Sequence, residues 1–151
     1  MSSVTQNSDT KLNIHNTSVQ CYLGFAQNII SRLASNSANA KTWCVTLVAG
    51  LLALAAGTGE NWHLVIKVCY LPVVLFCFID MYYLFLERFF REKYKEIIAT
   101  ARALSLTEDN LFAFKGPESL LCKAFFKTVK SHSIWPFYLV QVVALTIILF
   151  K

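Results

Sequence analysis

Asp80 is the residue with the most chemical content, because it is a carboxylate inside an apolar run that extends from Leu64 to Leu86. A charge at such a position is expensive and faces a partner or water. It stands six residues before Leu86, about 9 Å from the end of the run at helical rise. Gln141 stands seven residues after Ile134 in a later apolar run, about 10 Å in if that helix runs the opposite way. Similar depth predicts a hydrogen bond between Asp80 and Gln141, with Thr46 of the first apolar run added, at about 0.6–2 kcal/mol per contact. Two readings of Asp80 stand side by side. It is either a cation or proton site lining a pore, or an interfacial carboxylate reached by Tyr82, Tyr83 or a snorkelling cation, which is the commoner fate of such a charge.

The other chemical candidates are weaker. Lys67 lies near the outer end of the same run and can snorkel outward. Lys123, Lys127 and Lys130 form a stripe that suits a phosphate-bearing ligand or anionic headgroups, or else a solvated helix face. The five cysteines, Cys21, Cys44, Cys69, Cys77 and Cys122, have no C-x-x-C spacing, and His15, His63 and His132 are scattered, so no metal motif is readable. Phosphate loops, nucleophile elbows, H-E-x-x-H and paired catalytic carboxylates are absent from the sequence. The expectation is a protein that is not an enzyme and needs no cofactor.

The elements that must position these residues follow from composition. Of 151 residues, 56% are hydrophobic and 15% charged, against about 45–50% and 25% in an ordinary globular chain. That balance predicts an all-α integral membrane protein. Residues 1–16 form a polar tail without a signal-peptide pattern. Residues 17–42 follow as an amphipathic cytosolic helix, with Asn16, Thr17 and Ser18 as cap candidates and Tyr22, Leu23, Ala26, Ile29, Ile30 and Leu33 on one face. Residues 43–86 read as a transmembrane hairpin. Its first run, Trp43 to Gly57, covers about 22 Å, short of a full hydrocarbon core, so Lys41 snorkels and Trp43 sits at the interface. On this first helix Ala49, Ala53 and Gly57 form a small-residue face for close helix packing, against either the second helix or a neighbouring subunit.

The second helix is expected to continue past the apolar run, because Leu86, Phe90, Tyr94, Ile97, Ile98, Ala101 and Leu104 keep its spacing through a charged stretch. Residues 87–132 form a cytosolic helical segment, with a capping box at Ser105 to Glu108, a stop at Gly116-Pro117 and an amphipathic helix from about Glu118 to Lys130. Residues 133–151 supply a third transmembrane helix. Nine of the 14 cations lie between Arg88 and Lys130, and none in the 58–63 loop. The positive-inside rule then puts the N-terminus in the cytoplasm and the C-terminus in the periplasm. It also accounts for the net charge of +5 without nucleic acid as a partner.

Residues 19 to about 98 resemble the SLATT-type small bacterial membrane proteins. The likeness rests on Arg32, Asn36, Ser37, Lys41 and Trp43 leading into the first span, and on Asp80, Tyr82, Tyr83, Glu87 and Arg88 at the exit of the second. That family pairs an amphipathic cytosolic helix with a two-helix hairpin; the third span here departs from it. The resemblance implies a bacterial inner-membrane effector or defence component that forms homo-oligomers and perturbs the membrane, with a pore as one way of doing so. The competing expectation is a non-conducting membrane adaptor that recruits or restrains a soluble partner through its cytosolic helices.

Overall fold

The computed structural model describes residues 12–57, 59, 62–107 and 134–150. Within them the chain forms three helices and no strands: α1 (Thr17–Gly57), α2 (Trp62–Arg102) and α3 (Trp135–Leu149). The stripe Lys123, Lys127 and Lys130, with Cys122, His132 and the capping box at Glu108, lies outside the described residues.

Each long helix runs for 41 residues. The Asn16 side chain accepts a hydrogen bond from the Ser18 amide at 2.9 Å, satisfying a donor that the first turn leaves free. From there α1 passes residues 42 and 43 without a break, so residues 17–42 and the first apolar run share one helix. Likewise α2 passes through Pro72 and keeps its helical form beyond Leu86 as far as Arg102. Its charged part carries local ion pairs, Arg91 with Glu87 and Lys93 with Glu96, both at 2.7 Å.

Packing divides the chain into two compact units, separated after Arg32 in α1 and before Glu87 in α2. In the first, Val19 and Leu23 of α1 close on Ile97 and Ala101 of α2, together with Leu12 and Leu106. The Leu12 amide donates to the Leu106 carbonyl at 2.8 Å, an isolated antiparallel bridge. Gln27 Nε2 donates to the Tyr94 hydroxyl at 3.0 Å. Tyr22 is half-buried here, and burial pushes its phenol above the ordinary value against the opposing pull of Lys93. The end of α2 is a Schellman turn, with bonds from Leu104 N to Ala101 O and from Ser105 N to Thr100 O. Leu104 takes the left-handed conformation, φ 53°, that glycine usually fills.

The second unit is a three-helix bundle. α1 contributes Cys44, Val48 and Ala55, α2 contributes Ile66, Cys69, Val73 and Met81, and α3 contributes Tyr138 and Leu145. These positions recur at three- and four-residue spacing, the inward stripe of a packed helix. Residues between the stripes are apolar too, and they point outward. Leu54, Leu64, Leu71, Phe78, Val140 and Ile147 are more than half exposed. In the most apolar 18-residue windows of α1 and α2 only 22% and 33% of residues are buried. A core helix of a soluble protein would hide most of that surface, so both helices are long and apolar enough, and bare enough, to be candidate membrane spans.

Candidate functional site

Ser37 and Lys41 are one helical turn apart on α1, and the inward stripe that follows them runs through Ala40, Cys44 and Val48. On α2 the stripe Ile66, Cys69 and Val73 reaches Asp80 after two further turns. The polar residues thus occupy core positions of an antiparallel pair. Seven residues further along α1, Cys44 Sγ lies 4.0 Å from the carbonyl of Pro72, eight residues back along α2.

Asp80 has no exposed surface, and each of its carboxylate oxygens meets a partner from α1. Ser37 Oγ donates a short hydrogen bond to Oδ1. Lys41 Nζ stands 2.6 Å from Oδ2 in an ion pair and 3.1 Å from Ser37 Oγ. Oδ2 receives no directed hydrogen bond, so its compensation is the ammonium charge itself. The result is a closed triangle in which one buried negative charge is matched by one positive charge. A buried carboxylate without such a match would be prohibitive.

The hydrogen bond expected between Asp80 and Gln141 is not formed. Gln141 Oε1 instead receives Cys44 Sγ at 3.2 Å, because that face of α3 looks at α1 one turn deeper than the triangle. Thr46 turns its hydroxyl back to the Thr42 carbonyl at 2.9 Å on an exposed face. Lys67 is exposed near the start of α2. Ala49, Ala53 and Gly57 are also exposed, and a methyl group added at Gly57 would meet nothing within 4 Å. The small-residue face therefore does not pack against α2; the Ser37, Cys44 and Val48 stripe takes that position.

Further polar pairs fasten α3 to the bundle. The Tyr138 hydroxyl donates to the Phe76 carbonyl at 3.1 Å, and Tyr70 shares a 2.8 Å hydrogen bond with Thr146. Eight residues along α3 thus match six residues back along α2, an antiparallel pairing. Tyr138 also lies within electrostatic reach of Asp80.

No family model, curated protein or solved structure matches the chain.

Sequence reasoning found Asp80 and the possibility of a snorkelling cation, but it left Lys41 at the interface without joining it to Asp80 and gave Ser37 no part in the site. The usable signal was the i, i+4 spacing of Ser37 and Lys41 in register with Cys44 and Val48. Among the described residues no group of three or more His, Cys, Asp or Glu side chains comes together to hold a metal. The four described cysteines are free thiols.

Proposed function

We propose that the protein is an integral inner-membrane adaptor. In this reading its three apolar helices form the membrane body, and the charged helical parts on either side of residues 33–86 present a cytoplasmic surface to a soluble partner. One observation carries the proposal. The inward-facing polar groups of the bundle are spent on one another, Asp80 on Ser37 and Lys41, Gln141 on Cys44, and Tyr70 on Thr146, while the outward surface is mostly apolar, with Lys67 exposed near the start of α2. A conducting path needs polar or charged groups directed at a lumen, and the charge of Asp80 is matched within its own chain. The cation asymmetry supports an orientation with the N-terminus in the cytoplasm and the C-terminus in the periplasm.

A second reading, an effector that oligomerises and perturbs the membrane, is supported by the exposed face of Ala49, Ala53 and Gly57, a surface on which another helix could approach closely. The resemblance to SLATT-type proteins points the same way.

Reporter fusions and a potential-sensitive dye separate the readings. Fusions at position 100 should report cytoplasm and those at position 60 periplasm. Overproduction should leave the membrane potential intact, and the full-length protein should retain a specific soluble protein through residues 87–131. Depolarisation without partner capture would replace the adaptor with the effector, and a periplasmic signal at position 100 would overturn both.

A further inference from the structure

We infer that Lys41 is the contact point for the phosphate of an anionic phospholipid at the cytoplasmic boundary of the bundle. This deepens the membrane reading above and rests on it. An ammonium group has three donors. One is directed at Ser37 Oγ at 3.1 Å, while Asp80 Oδ2, 2.6 Å away, is held by charge without a directed hydrogen bond. That leaves donor capacity for a group outside the triangle. Asp80 is fully buried, whereas the Lys41 side chain keeps 22% of its surface accessible. The ion pair is therefore a dipole whose positive end reaches the surface.

The surroundings fix the level at which this happens. Trp43, two residues beyond Lys41, is 61% exposed, and Tyr82, two residues beyond Asp80, is 54% exposed. Trp135, at the start of α3, is 54% exposed, and its helix is tied by Tyr138 to Phe76, one turn before Asp80. Exposed indoles and phenols collect at the headgroup level, where one end of the ring system is apolar and the other wet. At the far end of α2 stands Trp62, and the helix between Trp62 and Tyr82 measures about 30 Å, the thickness of a hydrocarbon core. The triangle thus belongs to the membrane boundary, the depth of lipid phosphates, nearer the surface than its distance from Leu86 suggests. A phosphate oxygen there accepts the spare donor, while Asp80 competes for the same amine from inside.

The test uses the full-length protein purified in detergent and presented with equimolar phosphatidylglycerol and phosphatidylcholine of matched chains, with bound lipid read by native mass spectrometry. One phosphatidylglycerol per chain should be retained with about fivefold preference, the worth of one lysine at an anionic surface. Lys41→Arg should keep the preference and Lys41→Gln should abolish it. Asp80→Asn, which frees the amine from its competitor, should raise the preference severalfold, and this arm decides the matter if Lys41→Gln fails to fold. An Asp80→Asn protein with wild-type selectivity would overturn the site. Millimolar inorganic phosphate should leave the lipid in place; displacement by it would assign a free phosphate ligand and overturn the lipid one. A chain that remains monodisperse without detergent would overturn the membrane reading itself, whereas an integrated chain without lipid selectivity would overturn only the Lys41 site.

Discussion

Lys41 of α1 stands 2.6 Å from Asp80 of α2, and only the lysine reaches the surface. Removing the buried partner leaves an amine that can withdraw to water, whereas removing the exposed partner strands a carboxylate that cannot. Lys41→Met should therefore cost about 3–5 kcal/mol, the penalty for an uncompensated buried charge. Asp80→Asn should cost markedly less. The double variant Lys41→Met with Asp80→Leu should recover most of the loss. Thermal unfolding in detergent measures all three, and equal losses for Lys41→Met and Asp80→Asn would contradict the asymmetry.

Leu104 closes α2 with a left-handed backbone, and its side chain is 49% exposed. Replacing it with glycine removes the clash of Cβ with its own carbonyl, about 1–2 kcal/mol, against the loss of a half-buried side chain and the added unfolded-chain entropy of glycine. The opposing effects should leave Leu104→Gly within about 1 kcal/mol of the parent. Hydrogen exchange of the amides around Ile97 and Ala101 should then change by no more than about fivefold; a larger acceleration would mean that the side chain outweighs the strain.

Ala53 is exposed on the bundle, so a larger side chain there has room. Ala53→Leu should change the stability of a single chain by no more than about 0.5 kcal/mol. Any detergent-resistant association through the small-residue face should weaken, and crosslinking in membranes would show fewer multimers. A large loss of single-chain stability would mean that the face packs internally.

Burial holds the Tyr22 phenol above its ordinary value, so the folded state keeps its proton more tightly than the unfolded one. The stabilisation is complete below the unfolded pKa of about 10 and is lost as pH rises through the higher folded value. Alkaline melting should thus erode the first unit above about pH 10, and Tyr22→Phe should flatten that dependence.

The helices could be read from spacing and the site only in part. Type and place before Val19 narrow the cap to Asn16, Thr17 and Ser18, and it is Asn16 whose side chain takes the Ser18 amide. The run of α2 beyond Leu86 followed from its three- and four-residue repeat. The partner of Asp80 could not be obtained the same way. Counting residues from the ends of apolar runs gives depth, and it matched Asp80 with Gln141; the direction around the helix axis decides contact, and it turns Gln141 toward Cys44. Counting from Trp43 also treated Ser37 and Lys41 as lying before the span, although the helical stretch before Trp43 is continuous with the apolar run and carries both into the core stripe. Of the two partners open to Ala49, Ala53 and Gly57, α2 is taken by another face for a related reason: two stripes fit α1, and the one that carries Ser37 and Lys41 faces α2.

The triangle at Asp80 has a consequence for biosynthesis. Lys41 and Ser37 leave the ribosome well before Asp80, so the compensating charge is already made when the carboxylate must be buried. If the chain inserts as proposed above, the two helices would best leave the translocon together, as a preassembled pair, and α3 would follow with no charge of its own to accommodate. A nascent chain arrested at any point after α2 has emerged already holds both members of the ion pair.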